Sequence, residues 1–220
     1  MTESAYLHAT QVAYDTVAAD YAELLREELG GKPLDRAMPA AFAEHVRGPG
    51  AGEVADLGCG PGRVTAHLRS LGVNAFGVDL SPQMVAVARR SYPDLRFEQG
   101  SMTALDLADE AVGGAIAWYS TVHTPPEVLP AVFDEIHRVL APGGHFLIAF
   151  KVGDERRHAR HGYGHEISLD IYWMRPEHIA ELMSTSGLVV DAQLIREPDD
   201  SEKPRSGRQA FFLAHKPHAS

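Results

Sequence analysis

A doubly wound α/β fold, a mostly parallel sheet with helices on both faces, is what this sequence predicts. From residue 53 onward, short apolar strand-like runs alternate with helical patterns. One of those strands leads straight through a glycine-rich turn into a helix, Val54-Ala-Asp-Leu-Gly-Cys-Gly-Pro-Gly62 followed by a helical pattern over 63–71. The length, 220 residues, suits one α/β domain with room for an elaboration.

Residues 5–29 read as a helix because Tyr14, Val17, Tyr21, Leu24 and Leu25 recur at helical spacing, and Gly30-Gly31 stops the run. A second helix covers 33–47 and ends at Gly48-Pro49-Gly50. Strands follow at 53–57, 73–80, 95–98, 112–119 and 145–152, with helices at 63–71, 82–91 and 126–140 between them. Ser81 is placed to cap the helix that starts at Pro82. The segment 153–166, holding Arg156, Arg157, His158, Arg160, His161 and His165, reads as a polar loop. Beyond it come a strand at 167–173, a helix at 176–186 and strands at 188–196 and 209–215. The polar loop 197–208 is too short for a parallel crossover, so the last strand is expected to be antiparallel. Residues 1–50 then form a helical lid on the same domain, and 51–220 its core, with 153–173 as a substrate-side loop and strand.

Composition narrows the partners. There are 20 Lys and Arg against 30 Asp and Glu, a net charge of −10 with the 12 histidines neutral. That balance repels polyphosphates, so neither nucleic acid nor an anionic membrane is an expected partner. The single cysteine, Cys59, excludes an internal disulfide framework and suits a reducing cytoplasm. The N-terminus has no basic region followed by an apolar stretch, so no signal peptide is expected, and no apolar run approaches a membrane span.

The chemistry concentrates in 54–62. A strand, a glycine-rich turn and a helix start place free backbone N–H groups around a ligand. Gly58, Gly60 and Gly62 let the chain turn tightly and a ligand approach closely. A nicotinamide-dinucleotide fingerprint would need a third glycine where Arg63 stands. Asp56, just before the turn, suits a ligand with an ammonium and a sulfonium better than one with a pyrophosphate. Asp79 ends the second strand, where a carboxylate can accept both hydroxyls of a ribose. After the third strand, Phe97-Glu-Gln-Gly-Ser-Met102 can edge an adenine, with Met102 or Leu80 packed on the ring.

In these residues the chain resembles the class I S-adenosylmethionine-dependent methyltransferases, in the branch related to ubiquinone and menaquinone biosynthesis. The resemblance covers about residues 14–152, through Tyr14-Asp…Tyr21, 54–62, Val78-Asp-Leu-Ser-Pro-Gln-Met84, Gln99-Gly-Ser-Met102 and 135–144. It implies a Rossmann-like, seven-stranded sheet whose last strand is antiparallel. It implies S-adenosylmethionine as cofactor and S-adenosylhomocysteine as product. Asp56, Gly58, Gly60 and Gly62 would surround the methionine part, with Cys59 packed inside the turn. Asp79 would hold the ribose, Leu80 would flank the adenine, and Ser101 and Met102 would line its edge. Ser101 departs from the Asp that many relatives carry there, replacing a charged contact by a hydroxyl. Tyr14 and Tyr21 match lid-helix positions that close over the cofactor's carboxylate.

In such a fold the acceptor pocket lies at the carboxyl ends of the strands. That brings Trp118-Tyr-Ser-Thr-Val-His123 and the 153–166 segment to it. His123 is the leading candidate base, His165 the second, and Tyr119 a wall of the pocket against the cofactor. The strand-four segment lacks the Asn/Asp-Pro-Pro-aromatic signature of amino methylation on nucleobases, which further disfavours DNA. No metal site is expected: the spacing of His158, His161 and His165 matches no closed site, and three arginines nearby repel a cation. An arginine of this segment is instead a candidate for holding a substrate carboxylate. The expected activity is methyl transfer to an oxygen or nitrogen of a small-molecule acceptor. A non-catalytic cofactor-binding subunit and a nicotinamide oxidoreductase are the competing readings.

Overall fold

The computed structural model describes residues 3–48, 50–198 and 207–218. Pro49, the Met1-Thr2 start and most of the polar loop expected at 197–208 lie outside the described residues. Helices α1 (Glu3–Leu24) and α2 (Pro33–Val46) precede the alternating core. The core runs β1 (Val54–Leu57), α3 (Arg63–Ser70), β2 (Ala75–Asp79), α4 (Pro82–Ser91), β3 (Phe97–Gln99), β4 (Val112–Trp118), α5 (Leu129–Val139) and β5 (Leu140–Lys151). Then come β6 (Glu155–Gly162), β7 (His165–Trp173), α6 (Pro176–Thr185), β8 (Val189–Arg196) and β9 (Gln209–His215).

Seven strands form one sheet in the order β3-β2-β1-β4-β5-β9-β8. Strands β1 to β5 are parallel, and β9 runs antiparallel to both β5 and β8. The expected mostly parallel sheet with an antiparallel last strand is therefore what forms. The strand order reverses between β1 and β4, and the crevice beyond their carboxyl ends is where an α/β sheet binds its ligand.

Side-chain alternation along the strands divides the core between two faces. Phe146, Ile148, Phe150 and Phe212 pack with Phe133 and Ile136 of α5 and Ile179 and Met183 of α6. Leu147, Ala149 and Phe211 turn the other way, onto Phe42 and Val46 of α2 and Val64 and Leu68 of α3. Helix α1 is anchored on α4, where Val17 and Ala18 meet Met84 and Val87. Ser81 caps α4 as expected, accepting the Met84 N–H at 3.0 Å.

Three expectations need correction. The first helix stops at Leu24, and a 3-10 turn at Glu28–Gly31 takes over where a continuous helix to residue 29 was expected. Leu24 is exposed, so its helical spacing reflected no buried face. Pairing of β5 with β4 runs from His145, while Leu140 meets Val112 in a shifted register, so the strand begins before the Pro142-Gly143-Gly144 turn. The largest difference is 153–166, which is no loop. Most of it is β6, paired antiparallel with β7 in a two-stranded hairpin separate from the main sheet. Its turn is Tyr163-Gly164, both at positive φ (53° and 86°), the two-residue connection that matches strand twist. β6 was hard to read because both its faces are polar. Arg156 pairs with Asp170 at 2.7 Å, and the Arg157 guanidinium lies 3.8 Å from the centre of the Trp173 ring.

Candidate active site

The glycine turn after β1 is docked on the end of β2. Gly58 and Cys59 donate their N–H groups to the Val78 carbonyl at 2.7 and 3.1 Å. Gly60 N–H donates to Asp79 Oδ2 at 2.7 Å, and Ser81 N–H donates to Asp79 Oδ1 at 2.8 Å. One carboxylate thus ties the turn to the start of α4. Burial pushes Asp79 up to about 6, against the two backbone hydrogen bonds that pull it down. It remains ionised at neutral pH.

Gly58 (φ +70°) admits no side chain. A Cβ there would lie 2.3 Å from the Ser120 Cβ, in a backbone conformation that L residues rarely adopt. Gly58→Ala is therefore expected to destabilise the fold by about 2–4 kcal/mol, clash and strain combined. Gly72→Ala is the control, since Gly72 also has positive φ but open space around it. Equal thermal shifts for the two variants would show that contact with Ser120 contributes nothing.

A cavity opens at the switch point. On the β1–β3 side it is lined by Leu57, Gly58, Gly60, residues 78–81, residues 100–102 and Leu105. On the β4 side it is lined by Trp118, Tyr119, Ser120, His123 and Thr124. Helix α1 covers it with Tyr6, Leu7, Thr10, Gln11, Tyr14 and Tyr21. Of the residues singled out from sequence, Tyr14, Tyr21, Gly58, Gly60, Asp79, Leu80, Ser101, Met102, Tyr119 and His123 come together here.

Four others do not line it. Asp56 is buried beneath the turn, its Oδ2 accepting from Thr65 Oγ1 at 2.6 Å, and burial pushes it up to about 7. Cys59 is also buried, its Sγ close enough to Gly77 to exclude a Cβ there. Gly62 leaves room for the Phe97 ring, which a Cβ would meet at 2.7 Å. His165 lies on the outer side of α1, its Nε2 2.6 Å from Asp20 Oδ2. There it fastens the hairpin turn to α1. The arginines of 153–166 are absent from the lining too, among the described residues.

His123 is buried on a short 3-10 turn, Thr121–His123, after β4. Its Nδ1 is 2.7 Å from the Asp170 carbonyl oxygen of β7, and its Nε2 is 2.8 Å from Tyr14 Oη. Burial lowers its pKa to about 4, so the ring is neutral. Tyr119, just before it, holds a positive φ of 55°, a strained backbone of the kind that clusters at functional sites. The α1 residues Tyr6, Leu7, Thr10 and Gln11 were missed from sequence, although their i, i+1, i+4, i+5 spacing continues the stripe of Tyr14.

A methyltransferase domain family matches residues 54–144. These residues carry the glycine turn, Asp79, the 100–102 edge and His123, the part of the site that the sheet builds. Over residues 54–144 the chain is similar to the methyltransferase domain family. It is 32% identical to a demethylmenaquinone methyltransferase of Chlorobaculum parvum over 46% of this chain and 42% of that one. It is also 32% identical to a malonyl-[acyl-carrier protein] O-methyltransferase of Pectobacterium atrosepticum, over 68% of this chain and 55% of the relative. The chain thus spans about half the length of the curated relatives it matches. Among solved structures, the 1,6-didemethyltoxoflavin-N1-methyltransferase of Burkholderia thailandensis superposes with a TM-score of 0.72 at 21% identity. That match covers 99% of this chain and 91% of the other. At such identity the likeness establishes the fold.

Proposed function

We propose that this methyltransferase-domain chain binds S-adenosylmethionine at the glycine turn after β1. It moves the methyl group to an oxygen or nitrogen of a small-molecule acceptor, releasing S-adenosylhomocysteine. The observation that carries the reading is the Asp79 carboxylate, ionised and cavity-lining, beside a glycine turn with no side chain in the way. Each Asp79 oxygen already takes one backbone N–H and keeps a lone pair for a ribose hydroxyl. Val78, Leu80, Met102 and Leu105 offer an apolar slot for a flat base. Ser120 Oγ is buried without a hydrogen-bond partner and borders the turn, 3.1 Å from where a Gly58 Cβ would stand. A polar ligand there would satisfy it.

The bound cofactor supplies a methyl already activated on a sulfonium sulfur. The chain's own task is to hold the acceptor in line with that methyl. Besides the turn and the strand ends, Tyr6, Leu7, Thr10, Gln11 and Thr124 extend the lining of the cavity and offer contacts to a second molecule. This extension favours a transferase over a subunit that only binds the cofactor. The names of the curated relatives, one of them an O-methyltransferase, support transfer to oxygen. Incubation with methyl-labelled S-adenosylmethionine and a small-molecule extract is expected to yield labelled product, and S-adenosylhomocysteine to raise the Tm. Stabilisation by NAD instead would reverse the cofactor reading, and binding with no labelled product would leave a binding subunit.

A further inference from the structure

His123 and Tyr14 together have a hydrogen-bond polarity that the contacts determine. The Asp170 carbonyl can only accept, so His123 Nδ1 carries the proton and donates to it at 2.7 Å. The ring is neutral and holds one N–H, so Nε2 is a bare acceptor. Tyr14 Oη, 2.8 Å from Nε2, must then be the donor. Its only proton is committed to His123, and what the phenol oxygen offers the cavity is its lone pairs. Tyr14 packs edge-on against Tyr21 with ring centres 5.8 Å apart. The Tyr21 ring is in turn the nearest group to a Cβ built on Gly60, at 3.9 Å. Tyr14 lines the same cavity as Gly58 and Gly60 of the glycine turn.

The resemblance read from sequence sets Tyr14 over the cofactor's carboxylate, but a carboxylate has no proton to donate. The amino-acid end of the cofactor carries one strong donor, its ammonium. We propose that His123 is a positioning residue rather than a base: it fixes Tyr14 as a hydrogen-bond acceptor, and Tyr14 takes the cofactor's ammonium. The inference rests on the cofactor reading above. It also gives the β6–β7 hairpin a part in the site, since the Asp170 carbonyl sets the tautomer on which the arrangement depends. The Asp170 carboxylate is engaged elsewhere, with Arg156 and His158 at 2.7 and 2.8 Å.

Two measurements test this. Nitrogen-15 NMR of histidine-labelled protein at pH 7 is expected to show His123 neutral with the proton on Nδ1. An Nε2–H tautomer or an imidazolium would overturn the proposal without any variant. Calorimetry then compares S-adenosylhomocysteine with its analogue lacking only the α-amino group. Wild type is expected to favour the amino ligand, and Tyr14→Phe to cut that preference by about tenfold or more, a lost charge-assisted hydrogen bond. His123→Ala should cut it similarly, and the double variant little further, because one side chain acts through the other. Unchanged preference in Tyr14→Phe, equal weakening of both ligands, or additive losses would each overturn the proposal. If wild type binds neither ligand, the cofactor reading itself fails, a distinct result.

Discussion

Asp79→Ala is expected to weaken S-adenosylhomocysteine binding by at least about 100-fold while leaving the unliganded fold nearly as stable as wild type. Two hydrogen bonds from ribose hydroxyls to a carboxylate contribute roughly 1.5–3 kcal/mol each, so their loss reaches that range. The unliganded protein loses the contacts with Gly60 and Ser81 N–H, at 2.7 and 2.8 Å, but also sheds a buried charge. The sign with pH follows from the carboxyl being raised to about 6 in the fold. Between the ordinary carboxylate value and pH 6 the native state holds a proton that the unfolded chain releases. That stabilising contribution fades as pH rises through 6. Removing Asp79 should therefore destabilise the unliganded protein less at pH 8 than at pH 5. Asp79→Asn is expected to bind poorly as well, because its NH2 must face one of two backbone donors. Thermal unfolding with and without S-adenosylhomocysteine separates the two effects. Wild-type affinity in Asp79→Ala would remove Asp79 from the site.

The parts of this site legible in the sequence are those built by local chain geometry. A strand, a glycine turn and a helix N-terminus lie within 17 residues, from Val54 to Ser70, so Gly58, Gly60 and the strand-end Asp79 could be placed before any packing was known. What local reading cannot resolve is which side of the turn each residue faces. Asp56 and Leu57 are neighbours on β1, yet alternation sends Leu57 to the cavity and Asp56 to Thr65 of α3. Cys59 and Gly62 sit in the same motif and serve packing against Gly77 and Phe97. The α1 residues depended on tertiary contact. Tyr14 and Tyr21 were indicated by the resemblance, but nothing local shows that Tyr6, Thr10 and Gln11 share the same covered cavity. The hairpin was hidden because β6 buries no apolar face, which left no period-two signal in Glu155–Gly162. His123 lines the cavity, but its partners, 109 and 47 residues away, reveal an acceptor nitrogen already occupied.

Outside the site, the largest expected loss of stability comes from the Asp35–Arg196 pair. Arg196 Nε donates to Asp35 Oδ1 at 2.8 Å and Nη2 to Oδ2 at 3.4 Å, with both residues buried. The bond joins the first turn of α2 to the end of β8, at the edge of the sheet. Asp35 also sits where a helix N-terminus favours negative charge. Losing the two charge-assisted hydrogen bonds of this buried pair costs about 3–5 kcal/mol. For a chain of this size that corresponds to a fall in Tm of roughly 10 °C or more. Arg196 keeps a bond to the Glu197 carbonyl at 3.2 Å, which holds the guanidinium in place. Asp35→Ala is therefore expected to unfold well below wild type. Asp35→Leu combined with Arg196→Met should recover most of the difference, since apolar side chains of similar size need no partner. Neither residue lines the cavity, so S-adenosylhomocysteine affinity below the transition should match wild type in both variants. A fall of less than about 3 °C in Asp35→Ala would mean that solvent reaches the pair and that α2 is held by its apolar face, Phe42 and Val46, alone.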